Sequence, residues 1–379
     1  MSTIQTNAIV DAAGGNTASV NGVTPNTHSV RGRNLIINGD MRVAQRGTSF
    51  TSSGSGLFTL DRWVSGVHTG TGDGDMTQET DAPTAVQSGT NFTHSLKFQV
   101  TTANTSIQAT DRKYHVYRIE GQDLAPAGFG QAGTRYMTLS FWHKHTKTGT
   151  HSLAINNAAR NRSYPMEYTQ ATTNTWEKAE LTFPVDTTGT WLGGNGIGMW
   201  IFFGAAFGSN YAATANQWGA GQKYGTANQV NNYDSTSNSM QFTGVQLELG
   251  SVATEFDHRS YAEELLLCQR YYERIEAGAS SSYVGFSAGT IYGSGTYLGH
   301  FTSSVPMRVT PTFSTDAYGS ASRMSVVSGA NTYDVTSIVV TGINQRLRIN
   351  AAGALSGIIG QGAYLQIQNG YHVAFTAEL

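Results

Sequence analysis

The residues of this chain best suited to chemistry fall into three groups. His143 and His145 alternate within YMTLSFWHKHTK, so a strand there puts both imidazoles on one face with Leu139 and Phe141. Paired imidazoles accept Zn, Ni or Fe, and symmetry mates around a threefold axis could complete such a site. A partly buried polar face is the plainer reading of the same pair. Asp73 and Asp75, in TGTGDGDMTQETD with Asp81 beyond, offer the oxygen donors that a structural Ca2+ takes, without the spacing of an EF-hand. A solvated loop is the plainer reading there. The third group is aromatic. Trp191 follows DTTGT, and Trp218 and Tyr224 stand in NYAATANQWGAGQKYG. A loop tryptophan can lie flat against a sugar ring while nearby Asn, Gln and Asp bond its hydroxyls. The same rings could instead pin long loops to the body of the protein. Trp142 and Trp200 stand inside strand-like runs and read as core.

Other chemistries lack their residues. There is no GxxxxGK[ST] loop, and GNGIG at 194–198 leads into the strand-like MWIFF rather than a helix. HExxH is absent, so no zinc-metalloprotease motif is present, and the expectation is a non-enzyme. No cofactor is required by any motif. A net charge of −2 offers nucleic acid no broad basic surface. Cys268, the single cysteine, excludes intrachain disulfides and cysteine-rich zinc sites. The opening MSTIQTNAIVDAAGG has neither a basic n-region nor an apolar core, and no run is long enough to cross a bilayer. A soluble protein made in a cytoplasm is expected, without membrane insertion.

These groups must be positioned by β-structure. Only 13% of the 379 residues are charged, against 44 glycines and 7 prolines, and Thr, Ser and Asn fill the polar positions. That composition suits pleated surfaces and turns rather than helical bundles. Residues 1–33 are polar and small, with Ile4, Ile9, Val10, Val20 and Val23 as anchors, and read as an extended docking arm or a disordered tail. Residues 34–258 alternate short strands with turns and read as a sandwich or barrel. In 259–277 the period changes. Tyr261, Leu265, Cys268, Tyr272 and Ile275 form a heptad-like seam, with Ser260 and Glu263 as a capping box and Gly278 as the stop. A helix this short must pack on something, either its own domain or its copies at a trimer axis. Residues 278–379 return to strands, enough for a small sandwich. The fold class is therefore all-β: an extended arm, a jelly-roll-like sandwich, a short linking helix and a small C-terminal β domain.

NLIINGDMRVAQRG at 34–47, LFTLDRW at 57–63 and GVQLELGSVATEFDHRSYAEELLLCQRYYE at 244–273 resemble the signature of bacteriophage tail-fibre and related virion proteins. In that family the first and last of these bracket a jelly roll similar to carbohydrate-binding modules. Met41 stands where Phe is usual, and Glu255 and Ser260 where Pro is common; neither disturbs the pattern. The resemblance covers residues 1 to about 275. It implies a homotrimeric virion protein, assembled in the host cytoplasm, that docks on other virion proteins through 1–33. It also implies attachment to a host-cell surface glycan; a purely structural baseplate, nozzle or capsid role and a tailspike hydrolase are the alternatives. Asn34–Asp40 would then be the first sandwich strand, beside the strand Phe242–Leu249, with Arg42, Arg46, Asp61 and Arg62 as structural Arg–Asp pairs or, at Arg42 and Arg46, an anion site.

Overall fold

The computed structural model describes residues 32–51, 56–66, 69–277, 283–314, 324–342, 345–353, 355, 359–368 and 371–379. They form two compact units: one of residues up to 42 with 49–57 and 63–259, the other of 43–48, 58–62 and 260–379. The arm anchors Ile4, Ile9, Val10, Val20 and Val23, and the expected helix stop Gly278, lie outside the described residues.

The first unit is a sandwich of two antiparallel sheets. Its strands are β1 (Ser49–Phe50), β2 (Trp63–Ser65), β3 (Asp73–Glu79), β4 (Ser95–Thr102), β5 (Arg112–Glu120), β6 (Tyr136–His145), β7 (Gly149–Asn157), β8 (Arg162–Gln170), β9 (Glu177–Pro184), β10 (Ile197–Phe207), β11 (Gly219–Ala220) and β12 (Ser239–Leu249). One sheet has the order β1-β3-β4-β12-β6-β9 and the other β11-β8-β7-β10-β5-β2. With β4 to β10 and β12 counted from 1 to 8 along the chain, the sheets read 1-8-3-6 and 2-7-4-5. That is the jelly-roll order.

Alternation sets the inner faces. In β6, Leu139, Phe141, His143 and His145 are buried while Trp142 and Lys144 are half-exposed. Phe141 meets Phe203 of β10 edge to face, with centroids 5.5 Å apart. Each such ring contributes roughly 1.5–3 kcal/mol of burial. Trp142 and Trp200 are not core residues as expected. Both stand on outward positions and are half-buried, because the inward phase belongs to Phe141 and His143 in β6 and to Met199 and Ile201 in β10.

The stretch 34–40 is not a regular strand. It runs beside β12, but Asn34 replaces part of the backbone ladder with its side chain. Its Nδ2 donates to Val245 O at 3.0 Å, and its Oδ1 accepts from Leu247 N at 3.1 Å and Ile36 N at 2.9 Å. Asn38 then takes a left-handed φ of 58°. Gly39 approaches so closely that an added Cβ would lie 2.2 Å from Val245 O. Gly39→Ala is therefore expected to force backbone movement and cost about 1–3 kcal/mol in a urea titration followed by tryptophan fluorescence. Arg259 closes the motif by donating to Ile36 O at 3.1 Å and to Asn34 O. Arg42 pairs with Asp40 and donates to Arg259 O at 2.8 Å. The conspicuous sequence here is a clasp for the chain ends of the sandwich.

The second unit holds one helix and nine strands among its described residues: β13 (Tyr272–Glu276), β14 (Tyr283–Gly293), β15 (Thr296–Thr302), β16 (Thr312–Ser314), β17 (Met324–Ser328), β18 (Asn331–Thr341), β19 (Arg346–Gly353), β20 (Gly362–Gln368) and β21 (His372–Thr376). Six of them close into a barrel, β14-β15-β19-β18-β17-β20, and β13-β21-β16 form a small sheet. The barrel interior is filled by Ile291, Tyr297, Val326, Leu347, Ile349 and Leu365. It is a barrel rather than the small sandwich expected, since β14 pairs with both β15 and β20 and leaves no edge.

The helix spans Tyr261–Gln269, not 259–277. Its start follows the expected capping box: Glu263 N donates to Ser260 Oγ at 3.2 Å and Ser260 N to Glu263 Oε2 at 2.9 Å. Its end does not, because Tyr272 to Glu276 pair with β21 as a strand. The five-residue helical seam is thus corrected. Tyr272 and Ile275 are strand residues, Tyr261 is exposed, Leu265 is half-buried, and Cys268 is sealed inside its own unit rather than facing an axis. Burial pushes the Cys268 thiol well up, so it is an inert core group.

Candidate functional site

Two of the three aromatics singled out above converge, although 27 positions separate them in sequence. Trp191 stands on the loop after β9 and Trp218 at the entry to β11. Their ring centroids are 5.6 Å apart at 85°. Phe129 packs against both, at 4.1 Å from Trp191 and 6.3 Å from Trp218. Tyr164 of β8 lies 5.2 Å from Trp218. Phe129 and Tyr164 are buried; both tryptophans are half-exposed, and Leu192 beside them is exposed. The result is an aromatic patch whose floor is sandwich core and whose rim reaches solvent.

Hydrogen bonds fix it. Trp218 Nε1 donates to Pro184 O at 2.7 Å, and Trp191 Nε1 to Thr188 O at 3.2 Å. Arg162 of β8 grips Asp186 with two parallel bonds of 2.8 Å, from Nε and Nη2. Thr188 adds its amide and hydroxyl to Asp186 Oδ1 at 3.2 and 3.0 Å. Burial alone would raise the Asp186 carboxyl, but the bonds from Arg162 and Thr188 outweigh it and hold it below the usual range. Asp186 is thus an ionised, fully engaged acceptor that positions the loop and has no proton to transfer. What this arrangement can do is present flat apolar faces beside polar loop groups.

The other sequence candidates fare differently. Tyr224 is not a loop platform: it is fully buried, stacked on Tyr114 at 4.3 Å and 25°, with Phe202 edge-on at 4.9 Å. Asp73 and Asp75 belong to strand β3 rather than a loop. His143 and His145 are inside the sandwich. His143 Nδ1 bonds Gln170 Oε1 at 2.9 Å, and His145 Nε2 lies 3.2 Å from the Tyr168 hydroxyl. His151, which sequence reading passed over, lies tilted beside them with its centroid 4.3 Å from His145. Among the described residues, no three His, Cys, Asp or Glu side chains are grouped to hold a metal. Burial lowers the His143 and His145 pKa values, and lowers His151 to about 4, so the three rings are neutral core groups.

Sequence reading also missed the outer face around Trp200. Arg118 and Arg160 hold their guanidinium carbons 4.6 and 5.2 Å from that ring, and Phe202 stacks parallel to it at 5.6 Å. The signal was there: in GMWIFF, Trp200 is out of phase with Met199 and Ile201.

No protein-family model matches the sequence, and neither does any curated protein. Solved structures resemble the sandwich at low similarity. The enzymatically active domain of tailspike protein 4 from bacteriophage CBA120 aligns at 15% identity and a TM-score of 0.29, over 57% of this chain and 22% of that one. A carbohydrate-binding module, TmCBM61, in complex with β-1,4-galactotriose, aligns at 10% identity and 0.27, over 58% of this chain and 100% of the other. The family 11 carbohydrate-binding module from Clostridium thermocellum, in complex with a β-1,3-1,4-mixed-linked tetrasaccharide, aligns at 10% identity and 0.27, over 55% and 98%. At such scores these likenesses transfer no ligand and no activity to this chain.

Proposed function

We propose that this chain is a phage virion protein of tail-fibre type that binds a host-surface glycan through the Trp191–Trp218 patch, without catalysis. The observation that carries the reading is the convergence of these two half-exposed rings beside Phe129, with Asp186, Arg162 and Thr188 fixing the loop that bears Trp191. Exposed ring faces favour the apolar face of a sugar, and the loop groups favour its hydroxyls. The motifs at 34–47, 57–63 and 244–273 support the virion setting. In that setting, homotrimeric copies anchored through 1–33 would raise a weak sugar affinity by avidity.

The Nε1 bonds to Thr188 O and Pro184 O favour a second reading. In it, the rings only pin loops and the chain is a structural virion component. Binding of labelled protein to candidate host cells, with and without periodate oxidation of surface sugars, separates the two. The expected result is periodate-sensitive binding that falls on the order of tenfold for Trp191→Ala and for Trp218→Ala. Binding by neither wild type nor variant, from a folded protein, would favour the structural role.

A further inference from the structure

A cleft of about 770 Å³ opens on the outer side of the β8 sheet, under the chain that returns between β10 and β12. None of the residues singled out in the sequence lines it. Its size lies inside the range of about 300–1,000 Å³ typical of small-ligand pockets. The wall is Phe207, small residues such as Ala213 and Ala215, and the polar groups Glu167, Thr226, Asn228 and Gln229.

The polar wall is built. Glu167 of β8 is the cross-strand partner of Ser152 of β7. Gln229 Oε1 accepts from Ser152 N at 2.6 Å and from Ser152 Oγ at 2.8 Å. Ser152 Oγ in turn accepts from Thr226 N at 3.1 Å. Thr226 Oγ1 and Asn228 Nδ2 both donate to the same oxygen, Glu167 Oε1, at 2.5 and 2.9 Å. The loop lies this close because of Gly225, where a Cβ would meet Ser152 Oγ at 1.9 Å. One carboxylate oxygen is thereby saturated by the protein, and Glu167 is the only charged residue lining the cleft among the described residues.

We propose that this cleft is a second saccharide site, selective for neutral sugars over acidic ones. Glu167 Oε2 accepts hydrogen bonds from ring hydroxyls, Asn228 contributes its amide, and the Phe207 ring supplies the apolar contact. A carboxylate held by two protein donors is a strong acceptor for hydroxyls, and its charge, with no cation in the wall, repels uronates, sialates and phosphates. The proposal shares the glycan reading above but not its residues.

Saturation-transfer NMR on the full chain tests it, with methyl galactoside, N-acetylglucosamine and glucuronate as probes. Wild type should give signals from at least one neutral sugar and none from glucuronate. Glu167→Gln keeps an oxygen for Thr226 and Asn228 but removes the charged acceptor. It should weaken neutral binding tenfold or more with an unchanged melting temperature. A Trp191→Ala/Trp218→Ala protein should retain binding, and adding Ala213→Phe, which fills the cleft without touching the polar wall, should abolish it. Signals that survive both cleft variants in that background would overturn the site. If only the tryptophan variant loses binding, the cleft is refuted and the patch reading stands. If cleft signals persist while periodate-sensitive cell binding is absent, the patch reading fails alone.

Discussion

Replacing Glu378 with alanine is expected to destabilise the second unit by on the order of 3–5 kcal/mol, the cost of stripping the partner from buried charge. Arg46 Nη2 and Arg62 Nη1 both donate to the Glu378 carboxylate, at 3.1 and 2.5 Å, and the Arg62 and Glu378 side chains are only 1% and 4% exposed. Each guanidinium also lies over a tyrosine of the QRYY motif, Arg46 3.5 Å from the Tyr272 ring and Arg62 3.6 Å from Tyr271. The Asp61 carboxyl is occupied elsewhere. It accepts from Gln45 N at 2.7 Å and Gln45 Nε2 at 2.6 Å, and burial raises its pKa despite Arg46. Both arginines share Glu378, an acid that the sequence reading did not name. Glu378→Gln should cost less than Glu378→Ala, because it keeps the oxygen acceptor. A double-mutant cycle of Arg46→Ala with Glu378→Ala should show strong coupling. All 6 tryptophans lie in the first unit. Hydrogen exchange of the β21 amides is therefore the measurement, and tryptophan fluorescence should report an unaltered sandwich. Unchanged exchange in β21 would contradict the assignment.

The second large effect is acid sensitivity of the sandwich. His143, His145 and His151 are buried around Tyr168, with centroids 4.8, 5.8 and 5.5 Å from its ring. Burial lowers all three pKa values; neighbouring charge lowers His145 further, from His151 and His143, and His151 further, from His143 and Lys147, while Gln170 and Glu177 oppose the shift at His143. The unfolded chain protonates these rings near pH 6.5, whereas the folded chain leaves them neutral. Stability is therefore full above about pH 6.5 and falls as the pH drops toward 4, where folded His151 itself takes a proton. The His151 shift from 6.5 to about 4 corresponds to ~3 kcal/mol for that ring. Urea midpoints by tryptophan fluorescence should fall steeply between pH 7 and pH 5, and the slope should flatten in His151→Asn. Neutral His151 donates Nε2–H to Lys147 O at 2.9 Å and faces the Asn232 amide with Nδ1 at 3.3 Å; protonation keeps the first bond and breaks the second. A pH-independent midpoint would refute this account.

The all-β class, the alternation that puts Phe141 and His143 inward, and the capping box at Ser260 were legible because each depends on neighbours a few residues away. Backbone sterics, a two-residue pleat and a reciprocal side-chain cap need no knowledge of the rest of the chain. The nearness of 34–40 to β12 followed from motif content, but the irregular geometry did not. It depends on the Asn34 side chain standing in the ladder and on the close approach of Gly39 to Val245. The helix end was misread for a related reason. Tyr272 and Ile275 continue a helical spacing, yet pairing with β21, about a hundred residues away, outweighs it. Likewise, a tyrosine in a polar loop looked like a platform, and only the path of that loop over Tyr114 and Phe202 buries Tyr224. Composition and local pattern thus determined the element types and the candidate rings of this protein. Tertiary structure alone decided which of them meet: Trp191 with Trp218, Glu167 with Thr226, Arg46 and Arg62 with Glu378. Those partners are set by strand register and loop path, which long-range packing selects and no local stretch encodes.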